Sequence, residues 1–165
     1  FYDGVEVDKA DIIGQPTQGW QVAMYLLQVE RSLLTFARHT QTIKLIRKIW
    51  EAANNGTGLR EFESEFRALV AEFNSLRVMA YWHLELLEKN NQLPGQSSID
   101  KLVWSENFKK LARLYFRFCQ KYCPDRLQEA EKLYLYSLGR TIAAGTSEIQ
   151  KLTIAQRLLG LPKSY

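Results

Sequence analysis

Apolar residues recur at intervals of three and four over most of this chain, which is the spacing of one face of an α-helix. The pattern starts at Gly19 and continues to the polar sequence NNGTG at 54–58. A second periodic stretch occupies 59–90 and ends at the sequence NNQLPG, where Pro94 and Gly95 favour a turn. Two long helices are therefore predicted, each with an apolar stripe that must be buried against a neighbour.

Three further helices are predicted in the second half of the chain. A long one begins at Ser97 or Ser98 and ends at Cys123, before a proline that cannot continue it. A shorter helix covers 125–138, and a final one covers 147–159. Helices with apolar stripes can bury them together in an up-and-down helical bundle, so the predicted fold class is all-α.

The first 18 residues, FYDGVEVDKADIIGQPTQ, do not share the helical pattern. The alternation VEV at 5–7 predicts a short strand, and Gly14 and Pro16 predict a loop. A single strand has nothing to pair with in this chain. We therefore expect 1–18 to be a short remnant of a central β-domain with its linker, and 19–165 to be the helical bundle domain. The chain is then expected to begin inside a larger protein.

Composition and charge narrow the class of protein. With 165 residues and 46% hydrophobic content, the chain is long enough to bury the core of one globular domain. The formal net charge of +4 is spread along the predicted helices, which argues against a nucleic-acid partner. The sequence contains no apolar run long enough to span a membrane, and a cytoplasmic location is expected.

The cysteines and histidines give little support for a disulfide or a metal site. Cys119 and Cys123 lie in one predicted helix, and both are expected to be reduced thiols. His39 and His83 belong to different helices, and each is expected at a helix surface or boundary. No metal ion is therefore predicted.

One carboxylate occupies an apolar position of the first helix. Glu30 has leucines at every position three and four residues away, namely Leu26, Leu27, Leu33 and Leu34. Burial among apolar side chains disfavours the charged form of a carboxylate, and a carboxylate that takes up a proton near neutral pH suits a general base. The alternative is that Glu30 forms a structural ion pair with an arginine from another helix.

The sequence TIAAGTSEIQ at 141–150 has the features of a helix start. The tripeptide Gly145-Thr146-Ser147 predicts the N-terminus of the last helix, and Ser147 with Gln150 fits the spacing of a capping box. The free N–H groups of such an end can bind a phosphate. Capping without a ligand is the alternative, and Glu148 favours it because its charge would repel a phosphate.

Several short sequences match one known family in the same order along the chain. They are GW at 19–20, ER at 30–31, SSIDKLVWSE at 97–106 and TIAAGTSEIQKLTIAQRLLGLPK at 141–163. With FYDGVEV at 1–7 as the close of a preceding β-domain, the chain resembles the C-terminal half of the acyl-CoA dehydrogenases over nearly its whole length.

The resemblance implies a flavoenzyme subunit with an N-terminal helical domain, a central β-domain and this helical bundle, assembled as a homo- or hetero-oligomer, a dimer or tetramer. It implies FAD as the cofactor and an acyl-CoA thioester as the substrate, converted to a 2-enoyl-CoA. An electron-transfer flavoprotein is the implied partner that reoxidises the flavin. The implied FAD contacts are Gly145, Thr146 and Glu148, and the implied substrate contacts are Arg31 and Gly145.

Departures from the family pattern change the expected site. Many members have their catalytic glutamate directly before the Gly-Thr pair, where this chain has Ala144, which takes up no proton. A minority carry the base in a Glu-Arg pair of the first helix, so the resemblance implies Glu30 as the catalytic base. The flavin-binding Arg-x-x-Phe-Gly and Gly-Gly-x-Gly stretches are replaced by GLREFESEF at 58–66 and CQKYCPDRLQEAEK at 119–132. The alternative is therefore a non-catalytic structural subunit of a heteromeric acyl-CoA dehydrogenase.

Overall fold

The computed structural model describes residues 1–54, 59–90 and 95–162, without the side chains of 28, 29, 31–35, 54 and 90. Over these ranges every regular element is helical, with five α-helices and two short 3₁₀ turns. The helices are α1 (Gly19–Asn54), α2 (Leu59–Asn90), α3 (Gln96–Tyr122), α4 (Leu127–Ile142) and α5 (Ser147–Arg157). The predicted all-α fold class is confirmed.

Helix α3 is the centre of the domain because it packs against each of the other four α-helices. Large buried apolar side chains recur along it at intervals of three and four residues and include Trp104, Phe108, Leu111, Tyr115 and Phe118. Burying a large apolar side chain stabilises the fold by about 2 kcal/mol. Helices α1 and α2 complete the core with side chains that include Ile49, Phe62, Phe66 and Leu76.

The first two helices have the predicted bounds, but the start of α3 differs. It begins at Gln96, with Gly95 as an N-cap that provides no side-chain hydrogen bond. Ser97 and Ser98 therefore lie inside the first turn, where both are buried rather than capping the helix. The prediction of a serine start was wrong because packing in this first turn, rather than a side-chain cap, places the helix end.

The bounds of α4 and α5 also differ from the predictions. The predicted start at 125 was wrong because Pro124–Arg126 forms a 3₁₀ turn, and α4 begins after it. The helix then continues to Ile142, past Gly139, although an internal glycine costs a helix about 1 kcal/mol. Helix α5 ends at Arg157, two residues before the predicted end at 159.

Residues 1–18 contain no strand, so the strand expected at 5–7 was wrong as a structural element. Val5 and Val7 are exposed, and no neighbouring strand within the described ranges provides the hydrogen bonds that a strand needs. The segment's regular element is instead a 3₁₀ turn at Lys9–Asp11, capped by the Asp8 carboxylate. The assignment of 1–18 to the end of a β-domain stays a prediction.

Both histidines are buried, which contradicts the expected surface or boundary positions. His39 is 3% exposed and packs edge-on against the ring of Phe73. His83 is equally buried, and its ring faces the carboxylate of Asp100. Within the described ranges no group of three side chains could hold a metal ion, and both cysteines are free thiols.

Large apolar side chains are exposed on several helices, and on α2 they are Val78, Tyr81 and Trp82. On α1 most of them lie near its start, namely Trp20, Tyr25 and Leu26, whereas Trp50 lies near its end. On α4 and α5 they include Leu135, Leu138, Ile142, Ile149 and Leu152. No helix in the described part of the chain combines the length and apolarity needed to cross a membrane.

Candidate functional site

The turn between α4 and α5 has an unusual backbone. Helix α4 ends at Ile142, and Ala143 caps it with an N–H that donates to the Gly139 carbonyl. Ala144 then has a φ of 57° and Gly145 a φ of 93°, so two consecutive residues occupy the left-handed half of the map. Ala144 is the one non-glycine with a positive φ in the described ranges. Such conformations persist in a folded protein when surrounding contacts hold them.

Thr146 caps the N-terminus of α5. Its side chain accepts a hydrogen bond of 3.4 Å from the N–H of Ile149. The predicted capping box from Ser147 to Gln150 was wrong, because Ser147 already lies inside the helix. The Ser147 hydroxyl instead donates to Glu106 on α3 at 2.7 Å, which ties the first turn of α5 to the central helix.

A buried lysine holds the turn from the α3 side. The ammonium group of Lys101 donates to the carbonyl of Gly145 at 2.6 Å and to the carbonyl of Thr141 at 3.2 Å. The lysine is only 1% exposed. The carbonyls at the end of a helix carry partial negative charge, so a cation is favoured at this position. The sequence pattern did not single out Lys101, although it lies inside the SSIDKLVWSE string that matches the family.

Gln150 holds the same turn from the α5 side. Its side-chain amide donates to the carbonyl of Ala144 at 2.9 Å and to that of Gly145 at 3.2 Å, and its side chain is fully buried. A Cβ atom added to Gly145 would lie 2.7 Å from the Gln150 nitrogen. Glycine is therefore required at this position for two reasons, the positive φ and the close approach of Gln150.

These contacts decide where the backbone donors of the turn point. The described chain has no cis peptide bond, and in a trans peptide the C=O and N–H groups point in opposite directions. Because the Gly145 carbonyl points at Lys101 and Gln150, the N–H of Thr146 points away from both. The N–H of Gly145 likewise points away from Gln150. The turn therefore presents two backbone donors on the side opposite to its buried contacts.

Two carboxylates flank this turn. Glu106 is partly buried, which by itself would raise its pKa, but hydrogen bonds from Lys109 and Ser147 bring the pKa below its ordinary value. The pKa of the exposed Glu148 is also lowered, first by a hydrogen bond from its own backbone N–H and then by the Thr146 side chain. Glu106 is paired with Lys109 on the α3 side, so the exposed Glu148 is the carboxylate that disfavours a phosphate next to this turn.

Glu30 lies on α1, where its side chain is partly exposed. Of the leucines expected to surround it, Leu26 is 64% exposed, so this chain by itself does not bury the carboxylate on that side. Leu33, Leu34 and the side chain of Arg31 lie outside the described side chains. No hydrogen bond or ion pair between described side chains joins Glu30 to the turn. Its role as a base and the substrate contact of Arg31 stay predictions.

The fold and the turn define a helical domain built around one central helix, with a donor-bearing turn before its last helix. The family model described as acyl-CoA dehydrogenase, C-terminal domain, matches residues 17–159. The chain therefore belongs to the acyl-CoA dehydrogenase family, as the sequence resemblance predicted.

Related proteins support this assignment. The chain is 30% identical to the acyl-CoA dehydrogenase IpdE1 of Mycobacterium tuberculosis over 168 aligned residues, which cover 99% of the chain and 43% of that protein. It is also 30% identical to IpdE1 of Mycolicibacterium smegmatis, covering 99% of the chain and 42% of the relative. The chain thus spans less than half the length of these curated relatives.

A solved structure has the same fold. A variant of the Tcur3481-Tcur3483 steroid ACAD superimposes with a TM-score of 0.84 and 21% sequence identity. The alignment covers 99% of this chain and 46% of that one. At this level of identity the likeness shows the shared fold.

Proposed function

We propose that this chain is the C-terminal helical domain of an FAD-dependent acyl-CoA dehydrogenase that converts an acyl-CoA thioester to a 2-enoyl-CoA. Family membership and the α4–α5 turn support the proposal, and the turn is the observation that carries it. Its carbonyls accept hydrogen bonds from Lys101 and Gln150, which directs the N–H groups of Gly145 and Thr146 away from these contacts, where a ligand could accept from them.

The donor set of the turn fits a flavin. Gly145 has no side chain, so a ligand can approach the backbone closely, and two adjacent N–H groups suit the hydroxyl or carbonyl oxygens of FAD. The negative charge of Glu148 favours these neutral oxygens over the diphosphate. Gly145, Thr146 and Glu148 are therefore the proposed flavin contacts. When bound, FAD supplies the acceptor for the hydride that leaves the β-carbon of the substrate.

Glu30 is the proposed base that removes the α-proton of the thioester. Ala144 occupies the position of the usual family base and has no group that takes up a proton, so the base must come from elsewhere. The α-proton passes to a carboxylate oxygen of Glu30. The exposed apolar side chains Trp20 and Tyr25 lie on the same part of α1, and a domain or subunit that covered them would also exclude water from Glu30.

Arg31 and Gly145 are the proposed substrate contacts. A guanidinium next to the base can bind an anionic group of the CoA thioester, and the absence of a side chain at Gly145 lets the substrate approach the backbone of the turn beside the flavin. The structural relative is named a steroid ACAD, so a substrate panel should contain steroid-linked acyl-CoA thioesters beside straight and branched ones. A homo- or hetero-oligomer, an electron-transfer flavoprotein as electron acceptor and a cytoplasmic location complete the proposal.

The proposed base is tested by Glu30→Gln in the flavin-loaded protein. We expect turnover of the best acyl-CoA to fall by about 10²–10⁴-fold, because general bases contribute a factor of this size. Flavin content and thioester binding should be retained. Glu51→Gln, an exposed carboxamide substitution on the same helix, is the matched control and should leave turnover unchanged. Undiminished turnover in Glu30→Gln would show that the base lies elsewhere.

The replaced family stretches at 58–66 and 119–132, together with Ala144, favour a second candidate. In that case the chain belongs to a non-catalytic subunit that supports an active sister subunit. The visible spectrum of the purified full-length protein separates the two. Bound flavin absorbance in the protein alone supports the catalytic function, whereas a colourless protein that becomes yellow only with a partner supports the structural one.

A further inference from the structure

We propose that Lys101 is a positioning residue for the proposed flavin contact: by holding the Gly145 carbonyl inward, it aims the N–H of Thr146 at the acceptor oxygen of the bound cofactor. The inference rests on the proposed function for the identity of the ligand. The contact itself is a hydrogen bond of 2.6 Å from a buried ammonium group.

Burying the ammonium group of Lys101 carries a desolvation cost that its hydrogen bonds must offset. Moving an ammonium group out of water is unfavourable unless acceptors replace its hydration, and the carbonyls of Thr141 and Gly145 are two of those acceptors here. Both carbonyls belong to the end of α4 and the turn that follows it. The lysine therefore connects the central helix to the backbone that carries the proposed ligand donors.

The backbone conformation of the turn explains why the hydrogen bond from Lys101 is needed. Ala144 and Gly145 both have positive φ values, and an alanine leaves this region readily when its surroundings allow it. A rotation of the peptide between Gly145 and Thr146 would move the carbonyl away from Lys101 and turn the Thr146 N–H inward. Lys101 opposes that rotation directly, because its hydrogen bond is to the carbonyl of this same peptide.

Gln150 provides a second, weaker hold on the same peptide. Its amide lies 3.2 Å from the Gly145 carbonyl and makes its shorter contact, 2.9 Å, to Ala144. A neutral amide also binds a carbonyl less strongly than an ammonium group does. Loss of Lys101 should therefore loosen the turn and weaken the ligand contact without unfolding α5.

The test uses the full-length protein with Lys101→Met, Lys101→Arg and a control, Leu114→Ala. Leu114 is fully buried on the same helix, so its truncation lowers stability without involving the contacts of the turn. Three quantities are measured: the dissociation constant for FAD, amide hydrogen exchange over 143–147, and the thermal unfolding midpoint.

For Lys101→Met we expect about tenfold weaker FAD binding and faster exchange over 143–147. Lys101→Arg, which keeps a buried cationic donor, should recover part of both losses. Leu114→Ala should lower the unfolding midpoint with the affinity for FAD unchanged. Unchanged exchange in Lys101→Met would overturn the positioning role. Faster exchange with unchanged FAD affinity would overturn the aimed contact, because the turn would then not bind the cofactor.

A second pair of variants tests the Thr146 N–H directly and does not depend on the folding of Lys101→Met. The φ of Thr146 is −61°, which proline can adopt, and Thr146→Pro removes the donor. Thr146→Ala removes the same side-chain cap but keeps the N–H. Weaker FAD binding in the proline variant than in the alanine variant supports the inference, and equal affinities overturn it. If the wild-type protein binds no FAD, the proposed function fails, and hydrogen exchange alone decides the role of Lys101.

Discussion

His83 on α2 and Asp100 on α3 form a buried pair: the Nδ1 atom of the histidine lies 2.9 Å from each carboxylate oxygen. Their side chains are 3% and 4% exposed. Asp100 directly precedes Lys101 in the sequence, so the pair joins α2 to the part of α3 that holds the α4–α5 turn. The contact between α2 and α3 therefore includes a buried polar pair as well as apolar packing.

A double-mutant cycle measures this pair. We expect His83→Leu and Asp100→Leu each to lower the free energy of unfolding by about 3 kcal/mol, because each leaves a buried polar partner without its contact. The double variant should cost less than the sum, by about 1–3 kcal/mol. Urea unfolding gives all the values. Strictly additive losses would mean that the two side chains are not energetically coupled.

The burial of His39 predicts a pH dependence of stability. Burial lowers the pKa of His39 below its ordinary value of 6.5, while the Asp100 carboxylate raises it and the Arg77 guanidinium lowers it. As the pH falls below 6.5 the unfolded chain takes up a proton here before the folded protein does. The contribution of this group is thus complete above pH 6.5 and is lost as the pH falls from there through the folded-state pKa.

His39→Phe removes this titration and keeps an aromatic ring against Phe73. We expect the free energy of unfolding to fall less between about pH 7.5 and about pH 5.5 in His39→Phe than in the wild-type protein. Urea unfolding at the two pH values is the measurement. An identical fall in both proteins would show that other groups cause the acid sensitivity.

A comparison of Gly145 with Gly160, which both have a positive φ, distinguishes the cost of backbone strain from the cost of a steric clash. We expect Gly145→Ala to lower the free energy of unfolding by about 2–3 kcal/mol. The added Cβ would clash with the buried side chain of Gln150, and the alanine would be strained at the positive φ of this position. Gly160→Ala is the matched control: its φ is 65°, but no atom lies within 4 Å of the added Cβ. That variant should lose only about 1 kcal/mol. Equal losses in urea unfolding would contradict the close packing of Gln150.

The positive φ of Ala144 predicts that glycine there gives a more stable protein than glycine at the neighbouring position. Ala144 has a φ of 57°, whereas Ala143, its neighbour, has a φ of −58°. Replacing either by glycine adds the same freedom to the unfolded chain, but only Ala144→Gly relieves strain in the folded protein. We expect Ala144→Gly to be more stable than Ala143→Gly by about 1 kcal/mol. The difference between their free energies of unfolding, measured by thermal or urea unfolding, tests this prediction. If Ala143→Gly were the more stable variant, Ala144 would not be strained.

The helical segments could be predicted from the sequence because their signals are local. The apolar spacing within α1 and α2, and the polar sequences at 54–58 and 90–95, depend on residues a few positions apart. The family strings added the expected region of the site, including Gly145 and Thr146. The apolar spacing and the family strings are both properties of short stretches of chain. They can be recognised without knowing which helix packs against which.

The setting of Glu30 shows why other predictions needed the tertiary structure. Four leucines at helical spacing predict burial only if another element covers that face, and Leu26 is exposed on this chain. Conversely, His39 and His83 were expected at surfaces, yet both are buried because residues distant in sequence surround them.

By itself, the sequence of this protein determined its helices, its family and the strings in which the candidate site residues lie. Only the tertiary structure decided that Lys101, which lies 44 residues before Gly145, points into the turn and sets the direction of its donors. The physical reason is that helix periodicity reports contacts over one or two turns, whereas the acceptor of a buried lysine can come from any element packed against it.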